Sequence, residues 1–251
     1  MRRPSVSVVV PVHDSEATLA ELVARIDRAL RPEVGGHEVI LVNDRSRDAS
    51  WDVIESLARE QPWIRGIDLA RNVGQHRALL CGTRHARGAV VVTLDDDLQH
   101  PPEEIPKLLA RLTDGFDVVY GTPGEDRRGR GLGSRAARLL LRRAVGPAVA
   151  RQASAFRAFR TELRGVFAGH GGRIVCLDVL LSWARPRFGA VEVRHDVRRN
   201  GSSRYTVRKR ATAGRDVLLG VLGGHRPPDP LGPRRPSYTI RRQVNAGGEP
   251  A

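Results

Sequence analysis

Cysteine is scarce in this chain of 251 residues, occurring only as Cys81 and Cys176. Two thiols so placed form neither a disulfide framework nor a zinc motif, and a reducing cytoplasm is the expected setting. Aromatic residues make up 4%. That leaves little for the stacking platforms of single-strand-binding proteins, so nucleic acid is not the expected partner. Lysine occurs twice, at Lys107 and Lys209, so the net charge of +14 belongs to arginine. No apolar run reaches the roughly 20 residues of a transmembrane helix. The valines that follow Met1-Arg2-Arg3 stop at Pro11 and the polar stretch His13 to Glu16, too soon for a signal peptide. Any membrane role is therefore expected to be peripheral, at the inner face. No GxGxxG follows the first apolar run, and no GxxxxGK[ST] occurs anywhere. Neither a dinucleotide fingerprint nor a P-loop is present.

What remains is a soluble globular composition, 40% hydrophobic and 28% charged, long enough for one large or two small domains. The positive balance favours an anionic partner: a phosphorylated substrate, nucleic acid or an acidic membrane surface. The plain alternative is diffuse charge from a bias towards arginine.

The stretch VVVTLDDDLQHPP, Val90 to Pro102, organises the rest. A short β-branched run bounded by turn residues reads as a buried strand. It breaks into Asp95, Asp96 and Asp97, then Gln99, His100 and two prolines. Ligands of open α/β sheets bind just beyond the carboxyl ends of strands. Three adjacent carboxylates there repel one another unless a cation neutralises them. Hard divalent ions prefer oxygen ligands and often bridge a carboxylate to a substrate phosphate. The plain alternative is a solvated acidic turn.

Around that stretch, strands and helices alternate. Ser5 to Val12, Glu38 to Asn43, Ile64 to Leu69, Val90 onward and Asp117 to Gly121 read as strands. Glu16 to Leu30 (ended by Pro32, Gly35 and Gly36), the segment through Trp51, Ile54 and Leu57, His76 to Arg87, and Glu103 to Leu112 read as helices. Asp48 is placed to cap the second helix. The alternation predicts a parallel, doubly wound α/β sheet. After residue 121 the composition changes. Glu125 to Arg135 reads as a basic, glycine-rich loop, and Ala136 to Val145 as a short amphipathic helix, facing either an anionic surface or the core. AFRAFR at 155–160 reads as the lead-in to a helix, Ile174 to Trp183 as a buried helix and Gly189 to His195 as a last strand. Arg198 to Arg210 is strongly basic.

Taken together, these pieces resemble a family 2 glycosyltransferase of GT-A fold, in the polyprenyl-phosphate (dolichol-phosphate) mannosyltransferase and glucosyltransferase branch. The resemblance rests on VVVPVHDSE at 8–16, VNDRSRD at 42–48, LARNVGQHRAL at 69–79, TLDDDLQHPPEEI at 93–105, SAFRAFR at 154–160 and RRNGSSRY at 198–205. It implies a GT-A (Rossmann-like), mostly parallel sheet flanked by helices over 1–205, a single catalytic domain. A basic amphipathic segment at 206–224 and a disordered tail at 225–251 would follow. It implies that Pro11 and Asp44 sit at the nucleotide base, with Asp44 accepting a hydrogen bond from a base N–H. Asp14 and Glu16 lie near that pocket, and Arg71 helps hold the nucleotide. Asp95 and Asp97 match the family's paired catalytic aspartates, with Asp97 and Gln99 as ligands of Mg²⁺ or Mn²⁺ and Asp96 close to the ribose. Arg127, Arg135 and Arg204 would bind donor and acceptor phosphates.

The reaction implied is inverting transfer of a hexose from a UDP- or GDP-sugar to polyprenyl phosphate at the membrane surface. An anionic acceptor needs no general base, whereas a hydroxyl acceptor needs one. No compelling base stands out; Asp178 is one candidate, and it reads first as a capped or paired structural carboxylate. The family's SGFR-like motif has alanine at 155 in place of glycine, which requires a backbone open to side chains. Close relatives carry transmembrane helices after the RRNGSSRY-like segment, where a polar stretch follows here. The expected modes of action are therefore attraction of the basic segments to anionic lipid, a separate membrane subunit, or a soluble sugar or natural-product acceptor. A reading of another class is a non-catalytic basic binding protein on a transferase fold. A nucleotidyltransferase is disfavoured, because the loop after the first strand reads HDSEAT, acidic where a basic phosphate loop is needed.

Overall fold

The computed structural model describes residues 5–34, 36–123, 153–167, 176–196 and 238–245. Its centre is β1 (Val6–Val12), all seven residues of which are buried. A strand buried on both faces belongs inside a parallel sheet covered on both sides. β2 (His37–Asn43) and β4 (Val90–Thr93) pair with it in parallel, and β3 (Ile64–Leu69) pairs in parallel with β2. β5 (Val118–Thr122), β6 (Arg157–Arg160), β7 (Phe188–Glu192) and β8 (Ile240–Val244) complete eight strands in the order β7-β5-β6-β4-β1-β2-β3-β8. β6 and β8 run against the rest. The expected mostly parallel α/β sheet is thus observed.

Helices cover both faces. α1 (Glu16–Val34), α2 (Ser50–Glu60) and α4 (Ile105–Thr113) pack on the face carrying Val6, Val8, Val10 and Val12. α3 (Gln75–His85) and the short α5 (Leu177–Ser182) pack on the face carrying Val9, Ile40 and Val42. Alternate residues of each central strand therefore enter separate cores, as a period of two demands.

Three local expectations change. α1 runs through Pro32 to Val34, so the proline lies in its last turn and the stop falls at the glycines that follow. AFRAFR contributes β6 rather than leading into an α-helix. Arg157 is buried there by pairing with Asp178, so polarity misreports which side faces inward. Residues 240–244, inside the stretch read as a disordered tail, form β8 on the β3 edge. Its IRRQV sequence has exposed arginines and no apolar stripe, as suits an edge strand. The loop at 125–135, the helix at 136–145, the basic segments at 198–210 and 206–224 and the rest of the tail lie outside the described residues.

Candidate functional site

The carboxyl ends of β1, β2 and β4 lie side by side, and each leads into a turn holding one non-glycine residue in the left-handed region. These are Asp14 (φ 53), Arg45 (φ 58) and Leu98 (φ 61). Such residues cost of order 1 kcal/mol each and persist only where surrounding contacts over-determine them.

After β4, the Leu94 side chain is buried and the three aspartates part company. Asp95 accepts a short hydrogen bond on Oδ1 from Gln75 Nε2, at the start of α3. Asp96 turns to the β1 loop: its Oδ2 accepts from His13 N (3.0 Å) and Ser15 Oγ (2.5 Å), and its carbonyl from Thr18 Oγ1 (2.7 Å). Burial pushes the Asp96 carboxyl up, with the Ser15 and His13 bonds working in the other direction. Asp97 Oδ1 accepts the Gln99 backbone N–H at 3.1 Å, closing a local turn across Leu98, whose side chain is buried. That turn sets Asp97 beside Gln99, as the sequence pairs them.

Pro11 lies two residues beyond the last β1–β4 pair, Val9 with Thr93. Its nitrogen faces the β4 side, where pairing has ended, so the missing N–H removes no sheet bond. Asp44 is buried, and its carboxylate accepts from Val73 N (2.7 Å) and Gly74 N (2.8 Å). It thereby braces the 72–74 loop, in which Gly74 adopts φ 90 ahead of α3. Each carboxylate oxygen has a second lone pair, so this bracing is compatible with a further donor such as a base N–H. The Asp44 carbonyl takes His13 Nδ1 and Asn72 Nδ2, both at 3.1 Å. Asp14 Oδ1 accepts Arg47 N at 2.8 Å. Glu16 Oε2 accepts Ala49 N at 2.7 Å, while Asp48 accepts Glu16 N (3.2 Å) and Ser50 N (3.1 Å). This exchange ties α1 to α2. Burial would raise the Asp48 carboxyl, but its bonds to Ser50 and Glu16 outweigh that and hold it below its ordinary value. Arg71 is exposed on the loop after β3.

Asp178 is a structural carboxylate. It is buried beneath Arg157, with which it forms a very short ion pair, and it accepts Tyr120 Oη at 2.8 Å. The neighbouring Ala155 backbone is not left-handed, so the alanine is accommodated. The loop after β7 lies against the aspartate loop. Asp196 N donates to Gln99 O (2.9 Å), Arg194 Nε donates to Glu104 Oε1 (2.9 Å), and the His195 and His100 rings are 5.0 Å apart. The basic stretch from residue 198 therefore starts two residues from a direct contact with Gln99. Arg127, Arg135 and Arg204 lie outside the described residues.

The structure thus brings Pro11, Asp14, Glu16, Asp44 and Asp95 to Gln99 to one end of the sheet. It adds His13 and Ser15, which lie between singled-out residues of the first motif, and Asn72 and Gln75, which follow Arg71 in theirs; the sequence reading gave none of the four a role. Asp95, Asp97 and Gln99 offer oxygen donors, the chemistry a hard divalent cation takes. Among the described residues no three histidine, cysteine, aspartate or glutamate side chains converge as a complete cage. The set fits an ion that takes its remaining ligands from substrate phosphate and water, as Mg²⁺ usually does.

Residues 7–169 match the family model described as glycosyl transferase family 2. The chain is 37% identical over 205 residues to an undecaprenyl-phosphate 4-deoxy-4-formamido-L-arabinose transferase of Pseudomonas paraeruginosa, covering 80% of this chain and 60% of that protein. It is 35% identical over 208 residues to the protein of that name from Edwardsiella ictaluri, covering 81% and 64%. The chain thus spans about three fifths of the length of these relatives. Among solved structures it resembles glucosyl-3-phosphoglycerate synthase from Mycobacterium tuberculosis in complex with Mn²⁺, UDP and phosphoglyceric acid. That match has TM-score 0.63, 23% identity and coverage of 90% and 80%. It also resembles the mannosyltransferase PcManGT from Pyrobaculum calidifontis in complex with GDP-Man and Mn²⁺, with TM-score 0.64, 19% identity and coverage of 91% and 67%. At those identities the likeness is one of fold, the GT-A arrangement.

Proposed function

The chain belongs to glycosyl transferase family 2, and from that premise we propose that it transfers a sugar from a nucleoside-diphosphate donor to a polyprenyl phosphate. Pro11, Asp14, Asp44 and Arg71 would hold the nucleotide, with Glu16 bracing the pocket and Asp96 beside the ribose. Asp97 and Gln99, with Asp95, would hold Mg²⁺ or Mn²⁺, which when bound would stabilise negative charge on the diphosphate. Asp95 is oriented by Gln75 and Asp97 by its own turn, so both carboxylates are preorganised. The anomeric carbon–oxygen bond breaks with its electron pair passing to the departing diphosphate. An oxygen of the acceptor phosphate attacks from the opposite face, giving inversion.

One observation carries the choice of acceptor. Asp178, one candidate for a general base, is locked under Arg157 and Tyr120. A lipid phosphate is already anionic and needs no base, whereas a hydroxyl would need one. The relatives' names, undecaprenyl-phosphate transferases, support this reading. The basic stretches at 127–143 and 198–210, where Arg127, Arg135 and Arg204 fall, would attract anionic lipid at about 1 kcal/mol per nearby charge. No helix among the described residues is long and apolar enough to cross a membrane, which suits peripheral attachment at the inner face or a separate membrane subunit.

The test is thermal unfolding with UDP, GDP and dTDP, each with and without Mn²⁺ or Mg²⁺, followed by turnover with polyprenyl phosphate. Ligands of the native state raise its apparent stability. A nucleotide-selective, metal-dependent shift followed by lipid glycosylation is expected. A shift with transfer only to soluble sugars would move the acceptor. No shift with any nucleotide would leave a non-catalytic basic protein as the better account.

A further inference from the structure

We propose that Arg241, on β8, is a positioning residue for the nucleotide end of the site, acting through a directed chain of hydrogen bonds across two strands. The chain starts at Asp68, the fully buried carboxylate near the end of β3. Arg241 reaches it from β8 with Nε at 2.6 Å and Nη2 at 2.5 Å, both on Oδ2, and Arg242 Nε adds a longer contact at 3.3 Å. The other oxygen, Oδ1, accepts Asn43 Nδ2 at 2.8 Å. Asn43 and Asp68 are register partners at the ends of β2 and β3.

Donor and acceptor roles then follow in order. A carboxylate only accepts, so it fixes which way the Asn43 amide faces and leaves its oxygen pointing to the next turn. That oxygen accepts both Ser46 N (3.2 Å) and Ser46 Oγ (2.5 Å). With its proton committed to Asn43, the Ser46 hydroxyl offers a lone pair, and Asp14 N donates to it at 3.0 Å. Asp14 Oδ1 in turn accepts Arg47 N. The chain spans left-handed Arg45, between Asn43 and Ser46, and reaches left-handed Asp14, the costly backbone of the β2 and β1 turns. Asn43 is itself a requirement of the chain, since an aspartate there would face Asp68 charge to charge in a buried place. The positive end of the relay is Arg241, on a strand 173 residues away in sequence from the carboxylate it neutralises.

The arginine is a positioning residue because its bonds go to Asp68 and the effect falls on Asp14 and Arg45. The nucleotide consequence rests on the function proposed above; the positioning itself does not. The experiment compares the full chain with Arg241→Ala, Arg241→Lys and a control, Asn245→Ala. Asn245 anchors the same strand through the carbonyls of Ala58 and Ile64 without touching Asp68. Hydrogen exchange over 13–16 and 44–47 is the first readout, and calorimetric affinity for UDP and GDP with Mn²⁺ the second. Arg241→Ala should speed exchange in both turns about fivefold and weaken the preferred nucleotide by a similar factor. Arg241→Lys should recover part of each, and Asn245→Ala should loosen β8 while leaving the two turns and the affinity within about twofold. Unchanged exchange at 13–16 and 44–47 in Arg241→Ala, or equal effects in Asn245→Ala, would overturn the proposal. If those turns loosen as expected while the unaltered protein binds neither nucleotide, the positioning stands and the donor-site reading falls.

Discussion

The two ends of the same four parallel strands treat their carboxylates in opposite ways. At the amino ends, Glu38 is buried and saturated by the protein. It accepts Ser7 Oγ (2.6 Å), Arg65 Nη1 (3.0 Å) and Arg87 N (2.7 Å). Arg65 also donates to His85 O, and Gly88 N donates to Ser7 Oγ. Gly88 lies so close to β1 that an added Cβ would meet Ser7 N at 2.7 Å. At the carboxyl ends, Asp95, Asp96 and Asp97 are half-buried and adjacent, and they accept hydrogen bonds from Gln75, from Ser15 and His13 N, and from Gln99 N respectively. Three left-handed residues surround them. One end sets a single carboxylate against a buried arginine; the other gathers three adjacent carboxylates beside strained turns, the kind of clustering found where charge serves a site rather than the core.

That contrast predicts opposite outcomes for removing a carboxylate. Asp97→Asn should lower divalent-dependent turnover by about a thousandfold, on the order of 4 kcal/mol of transition-state stabilisation. Its urea unfolding midpoint should hold or rise, because one like charge leaves the cluster. Full, metal-dependent turnover in that variant would remove Asp97 from the site. Glu38→Gln should do the reverse. It should cost about 3 kcal/mol in urea unfolding, since Arg65 is left buried with its charge unmatched, while the affinity for nucleotide stays put. A variant that unfolds normally but loses nucleotide would mean that the two ends are coupled.

Acid should also act on the site end. Burial, then His195 and Arg157, lowers His100 to about 4. Its folded value lies below the unfolded one of about 6.5, so stability is full above that pH and is lost as pH falls from there to about 4. The loss is on the order of 3 kcal/mol. His100→Asn should flatten the pH dependence of unfolding across that window, and an unchanged slope would assign the acid sensitivity elsewhere. The smallest effect expected is from Arg45→Gly, which relieves a left-handed backbone and should stabilise the fold by about 1 kcal/mol. A loss of stability there would mean that the Arg45 side chain holds more than the turn costs.

Most of the fold was legible because β1, β2 and β5 carry apolar runs closed by turn residues, and parallel strands covered on both faces can hardly read otherwise. The candidate site was legible at Asp95 to Gln99 because a triplet of carboxylates at a strand end has few structural uses. Legibility failed where a polar residue is buried by a partner far away in sequence. Arg157 hides β6, since its pairing with Asp178 reverses the pattern of faces. Asn43, Ser46 and Asp68 carry the geometry of the Asp14 and Arg45 turns through bonds that no spacing reveals. β8 was missed for a third reason: an edge strand with exposed arginines looks like the solvated tail around it.

The placement of β8 has a consequence for biosynthesis. Translation delivers β3 to solvent long before residues 240–244 leave the ribosome, and at 5–20 residues per second the gap is roughly 10–30 s. Throughout that interval the outer edge of β3 has unsatisfied backbone groups and offers a template for other nascent chains. Asp68 likewise waits for its arginines, a buried-to-be acid without its counter-charge. A chain stalled or cleaved ahead of residue 238 would therefore release a nearly complete sheet with one open margin, a species that chaperones would be expected to hold.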